Sequence, residues 1–197
     1  MITFDRFVNH FEKPYDVNRE SQLTNGFTCS NSELSALFEL LGGSSYGNGI
    51  YKIFSSSQIT AWNLTITDAF PIYNEVIPFG YDWLGRIFAC KTSKQIIRLD
   101  PGVGDVINIP TSIVDFHNIE LVDYTNDALS SLFYNDWLQA GGTHPAILSC
   151  IGYKVPLFLG GTDKVENLEN IDLDVYWSFN GQMLQKISLN EKISKNI

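Results

Sequence analysis

Between Glu75 and Pro110 the chain repeats one pattern that few folds can satisfy: a short run rich in β-branched and aromatic residues, then a turn. The runs are "EVIPFGYD", "GRIFACKT" and "KQIIRLD", and the last passes through "DPGVGD" into "VINIP". Pro101 presets its own backbone angle, and Gly102 and Gly104 admit positive ones, so the last turn is set locally. An antiparallel meander results.

Helical patterns flank it. "TFDRFVNHFEK" places Phe4, Phe7, Val8 and Phe11 at helical spacing behind a Thr3 cap, and a polar linker follows to about Gly26. "SNSELSALFELLGG" offers Ser30 or Asn31 as N-cap, an apolar face of Leu34, Leu37, Phe38 and Leu41, and Gly42 as a stop. "NGIYKIFS" reads as a strand with Ile50 and Lys52 on one face and Tyr51 and Ile53 on the other. "SSSQITAWNLTITDAF" reads as a helix, although its Thr and Ile residues also suit a strand. After Pro110 come "TSIVDFHNIELV" and "TNDALSSLFYNDWLQAGG", the latter with Leu129, Leu132, Phe133 and Trp137 on one side and Gly141 at its end. Strands in the middle and helices around them predict an α+β fold, a mainly antiparallel central sheet with helices packed on one face.

A chain of 197 residues with 44% hydrophobic and 18% charged residues can bury enough apolar area to offset its ordering entropy. No apolar run reaches the roughly 18 residues of a membrane span, and "MITFDRFVNHFEK" lacks the apolar centre of a signal peptide, so a cytoplasmic protein without membrane contact is expected. Cys29, Cys90 and Cys150 are odd in number and show no CxxC spacing, which indicates neither a disulfide framework nor a zinc site. Twenty-two acids against 13 bases leave a net charge of −9, which repels phosphate backbones and attracts basic partners. Nucleic-acid binding is therefore not expected.

The chemical motifs fail their context tests. "GSSYG", Gly43 to Gly47, matches the nucleophile-elbow pattern around Ser45, but an elbow needs a strand before the serine and a helix after it. Here a helix precedes and a strand follows, so a flexible connecting loop is the expectation. His10 has no second ligand by spacing, and His144 precedes Pro145 in a loop. His117 has Asp115 and Glu120 nearby, but on a helix these do not gather on one face, and a solvated or capping role is expected. No zinc-protease or phosphate-loop motif is present, "GVG" lacks the third glycine of a dinucleotide loop, and the sequon "NLT" carries little weight without a secretion signal. Neither metal, cofactor nor catalytic residue is expected.

In "VPLFLGGTD", Pro156 cannot donate to a ladder, so the segment belongs at a sheet edge or in an extended loop, anchored by Leu157, Phe158 and Leu159. Gly160 and Gly161 make a tight turn rather than a phosphate cradle, since neither a Lys-Ser pair nor a helix cap follows. Asp163, Glu166, Glu169, Asp172 and Asp174 come next, opposed only by Lys164. Such a run is a solvated face or, more sharply, a docking face for a basic protein.

Three ordered motifs, "GYDWLGRIFA", "LDPGVGDVINIP" and "CIGYKVPLFLGGTDKVENLENIDLDVYWSFNGQMLQKI", resemble the C-terminal domain family of bacterial type VI secretion immunity proteins. That family is similar to the SUKH superfamily, which includes a yeast regulator of cell-wall glucan synthesis. The resemblance runs from about Leu34 to Ile187, which divides the chain into an N-terminal helix and linker, 1–29, and a SUKH-like immunity domain, 30–197. It implies a non-enzymatic protein that binds and neutralises a toxin, often a nuclease. Asp82, Trp83, Gly85 and Arg86 fall in its "DWLGR", and Pro156, Leu157, Phe158, Leu159, Gly160 and Gly161 in its "PLFLGG". These read as scaffold: Trp83 and Phe158 as core aromatics, Arg86 paired with Asp82 or a helix carboxyl end. The alternatives are an intracellular regulatory adaptor of the glucan-synthesis-regulator type and a hydrolase built on Ser45.

Overall fold

The meander is the spine of the structure, a computed structural model that describes residues 2–11, 16–17, 29–92 and 94–194. Seven strands follow one another in chain order: β1 (Asp16–Val17), β2 (Ser44–Tyr46), β3 (Tyr51–Ile53), β4 (Val76–Asp82), β5 (Ile87–Lys91), β6 (Ile96–Asp100) and β7 (Asp105–Ile109). Every neighbouring pair is antiparallel. A second sheet pairs β8 (Ser149–Tyr153) with β9 (Leu168–Asp172). The helices are α1 (Asp5–His10), α2 (Ser32–Leu41), α3 (Ile59–Ala69), α4 (Ile113–Asp115), α5 (Leu121–Asp123), α6 (Thr125–Leu129), α7 (Ser131–Gln139) and α8 (Leu173–Ser194), with a π-helical turn, Phe116–Glu120, between α4 and α5.

Local chemistry accounts for α2. The Asn31 side chain accepts from the backbone N–H groups of Glu33 and Leu34, Gly42 closes the helix, and Leu34, Leu37, Phe38 and Leu41 are its buried face. α1 has no side-chain cap: Phe4, not Thr3, is the N-cap residue. Phe4 and Phe7 nevertheless lie in the same core as the sheet, with the Phe7 ring 4.6 Å from that of Tyr46 and 5.2 Å from that of His117.

The class is α+β as expected, but helices cover both faces of the sheet rather than one. Tyr51 meets Phe7 of α1 and His117 of the π turn. Lys52 and Tyr81 stand directly opposite each other, on the other face, where Trp62 of α3 stacks on Phe54 and Phe54 on Tyr81. The strands require this: β3 is buried at every residue and β5 at all but Lys91, so neither face can be left to water.

Two further expectations change. The run Thr125 to Gly142 is not one helix, because Ser130 takes φ +53° and separates α6 from α7. The buried residue of α7 is Tyr134, and Leu132 is 64% exposed. The sequence pattern does not mark helix α8, because Asn180-Gly181 at its middle reads as a turn signal. Gly181 serves close packing instead: a Cβ there would lie 2.8 Å from the Cβ of Ala69 on α3.

Candidate functional site

The "DWLGR" segment is the joint between the two sheets. The Asp82 carboxylate accepts from the backbone N–H groups of Leu84 and Arg86 and is ion-paired with the Arg86 guanidinium. Arg86 also donates through Nη2 to the Ala128 carbonyl near the end of α6, at 3.3 Å, so it takes both partners that the sequence offered. Trp83 is fully buried, its indole donating to the Leu129 carbonyl at 2.7 Å, while its own carbonyl accepts from Ile151 of β8. The Gly85 carbonyl accepts from the Trp177 indole of α8 at 2.8 Å. These groups are satisfied internally and hold β8 and α8 in place.

"PLFLGG" forms an extended entry at Pro156 and a 3-10 turn, Leu157–Leu159. Gly160 has φ +87°, and the Pro156 carbonyl accepts from Gly161, where any Cβ would collide with the Val155 carbonyl. Leu157 and Phe158 are only half-buried and Leu159 is exposed, so Phe158 is not the core aromatic that its sequence context predicts. The loop is held by Asn167, whose amide bonds to Val155 twice and to the Thr162 carbonyl once. No sequence signal singled out Asn167.

All five acids of the predicted docking face are exposed. Asp163 accepts from the Tyr153 hydroxyl at 2.6 Å. Glu166 sits in the short turn before β9, Glu169 and Asp172 lie on β9, and Asp174 lies in the first turn of α8. Three residues apart on a strand, Glu169 and Asp172 point to opposite sides, so the acids form a rim rather than a plane. Besides Lys164, Lys154 reaches this region, its ammonium donating to the Glu166 carbonyl.

Beside the rim runs a groove of about 470 Å³ between α3, the Ile147-Leu148 turn and the β9–α8 junction. Gln58, Trp62, Thr65, Leu148, Asp172 and Asp174 are among its lining residues, and no basic side chain is. Ile147 also lines a neighbouring cavity of about 540 Å³ with Ser45, Asn48, Gly49, His144 and Pro145.

Ser45 is not in a loop: it lies buried within β2, directly across from Lys52. Lys52 is buried too, and burial lowers its amine to about 8 although Cys150 and Asp82 favour the charged form. Its hydrogen bond goes to the Gly49 carbonyl at 2.8 Å. The Tyr134 hydroxyl donates to the Asn48 carbonyl at 2.6 Å, so His144, 2.8 Å away through Nδ1, is the donor to that hydroxyl. Among the described residues no hydrogen bond joins Ser45 to Lys52 or His144, and a nucleophile without a base is not activated. Ser45→Ala should leave biological activity unchanged and stability within about 1 kcal/mol, as for a substitution that removes one hydroxyl. Loss of activity at unchanged thermal stability would restore a catalytic role.

His117 also departs from expectation. It is wholly buried, not solvated or capping, with Nδ1 2.7 Å from the Ile113 carbonyl and Nε2 3.1 Å from the Tyr51 hydroxyl. Among the described residues no group of three His, Cys, Asp or Glu side chains is arranged to hold a metal ion, and no helix is long and apolar enough to cross a membrane.

Residues 116–184 match the family model described as the C-terminal part of the T6SS immunity protein Tdi1, the type of family that the sequence resembles. The match spans less than half of the chain and begins after both "DWLGR" and "DPGVGD". It runs from the π turn through β8 and β9 into α8, and it contains the acidic rim. No curated protein matches the chain. Among solved structures, the crystal structure of Atu4351 from Agrobacterium tumefaciens aligns with a TM-score of 0.61 over 91% of this chain and 89% of that one, at 13% identity. That likeness is one of fold.

Proposed function

We propose that the protein is an immunity protein that neutralises a cognate bacterial toxin by stoichiometric binding, without catalysis or cofactor. The observation that carries this reading is the family match over 116–184, which takes in the rim and one wall of the groove. The net charge of −9 and the exposed Asp163, Glu166, Glu169, Asp172 and Asp174 favour a basic partner, such as a toxin whose cleft handles nucleic acid. The test is co-expression with the product of the adjacent gene: growth should be rescued and the two chains should copurify at a one-to-one ratio. Toxicity that persists while this protein is folded and abundant would discard the reading and favour a regulatory adaptor.

The rim makes a kinetic prediction. Exchanging the five acids for Asn and Gln should slow association and flatten its salt dependence while leaving folding and most of the dissociation rate alone. Attraction between exposed charges farther apart than about 8 to 10 Å is largely screened at physiological salt, so the difference from wild type should shrink as salt rises. Stopped-flow association across a salt series measures this. Equal rates and equal salt slopes would leave the rim a solvated surface.

A further inference from the structure

The groove beside the rim is shaped for something more specific than diffuse attraction. Its floor is Trp62, only 7% exposed and fixed by stacking on Phe54, which in turn stacks on Tyr81. The other three tryptophans donate their indole N–H groups to carbonyls: Trp83 to Leu129, Trp137 to Thr143 and Trp177 to Gly85. Trp62 alone has no acceptor among the described residues, and its indole nitrogen is not sealed from solvent, so this donor is open to a partner at the groove that Trp62 lines.

One wall carries Asp172 and Asp174. Neither is in a salt bridge among the described residues, and Asp174 accepts only from the adjacent Val175 N–H. On the same side lies Leu148, 39% exposed and held at φ +61°, with α3 across the groove. Its N–H donates to the Tyr81 hydroxyl and its carbonyl accepts from Leu173, both at 2.8 Å, so the turn is fixed from both sides. A β-region conformation would cost such a leucine less, and positions of this kind concentrate where a surface is pre-organised.

We propose that this groove receives a lysine or arginine side chain from an extended segment of the toxin, its charge between Asp172 and Asp174 and a backbone carbonyl of the same segment on the Trp62 indole. The proposal rests on the toxin-binding reading and names the chemistry of the partner's anchor. Charge complementarity selects this occupant: the groove is lined by two carboxylates, the neutral donors of Trp62 and Gln58 and an apolar shoulder, with no basic side chain to receive an acidic one. The methylene stem of the basic side chain would lie along Leu148 and Ala61.

The experiment uses the full chain, nitrogen-15 labelled, with the Trp62 indole resonance assigned from its loss in Trp62→Phe. Acetyl-Gly-Arg-Gly-amide, its Glu and Leu counterparts and the Gly-only peptide are titrated in turn. The Arg peptide should shift the Trp62 indole signal far more than the other three. Each exposed carboxylate is worth about a two- to fivefold change in affinity, so the Asp172→Asn, Asp174→Asn double variant should bind it on the order of tenfold more weakly. Equal shifts from the Glu or Leu peptide, no shift, or an Arg response that survives the double variant would each overturn the proposal. The toxin separates this failure from that of the function itself. Wild type that does not bind toxin sinks the immunity reading, whereas wild type that binds no better than the double variant and Trp62→Phe sinks the groove alone.

Discussion

Trp83→Ala should lower folding stability by about 3 to 5 kcal/mol, the usual cost of emptying a buried aromatic site, whereas Phe158→Ala should cost no more than about 2 kcal/mol. The sequence treats the two residues alike, as aromatics inside recognisable motifs. The structure separates them: Trp83 is fully buried between the sheet and α7, its ring 4.9 Å from that of Tyr134 and 5.5 Å from that of Phe133, while Phe158 is half-exposed in a loop. Truncating Trp83 also strands the Leu129 carbonyl that its indole satisfies. Trp83→Phe should therefore recover most of the packing and remain short by about 1 kcal/mol for the lost hydrogen bond. Urea denaturation of the three variants measures the series. A Trp83→Ala protein as stable as wild type would remove Trp83 from the core, and an equally large loss at Phe158 would place that loop in it.

The same contrast explains which parts of the molecule were legible. The α2 helix could be read because cap, apolar stripe and stop lie within a dozen consecutive residues, each acting on its neighbours. The strands from Val76 to Ile109 could be read for the same reason, each a short β-branched and aromatic run and the last turn set by Pro101, Gly102 and Gly104. Where the deciding contact is distant in sequence, local rules mislead. His117 looks solvated beside Asp115 and Glu120, yet the π turn carries it under Tyr51, Phe7 and Phe79. Gly181 looks like a breaker until Ala69 is found against it. β9 is written in residues that disfavour strands, Glu169, Asn170 and Asp172, and is a strand because β8 supplies a complete ladder.

The groove was illegible on the same grounds. Its parts come from 57–65, 147–148 and 172–174, and only the two aspartates carried a sequence signal. The acidic run marks this part of the surface through charge, which is additive and needs no fold. The vacant indole donor of Trp62 is a property of three-dimensional packing, since nothing in "ITAWNLT" distinguishes it from a tryptophan with a partner.

Acid titration should reveal two buried groups working against each other. Burial among aromatic rings lowers His117 to about 4, partly opposed by its hydrogen bond to Ile113. Its unfolded value is about 6.5, so the stability tied to the neutral ring is fully present above that pH and is lost as pH falls through the folded value, about 3 kcal/mol in all. Asp100 has the opposite sign. Burial raises it to about 6, with Arg86 drawing it down and Asp82 and Asp105 pushing it up, so the folded state holds a proton that the unfolded chain releases. Acidification from about 6 towards 4 therefore adds about 3 kcal/mol through Asp100 while His117 removes a similar amount. The wild type should lose little from this pair across that window. Asp100→Asn keeps an oxygen that can accept from the Gly102 and Val103 N–H groups but no longer titrates, so its stability should fall about 3 kcal/mol more steeply than wild type between pH 6.5 and 4. His117→Gln should do the reverse and gain relative to wild type on acidification. Comparing variants cancels the background from exposed carboxylates, and chemical denaturation at half-unit steps of pH gives the slopes. Parallel curves for all three proteins would mean that neither group titrates differently in the folded chain, and the burial of His117 under Tyr51 would then be wrong.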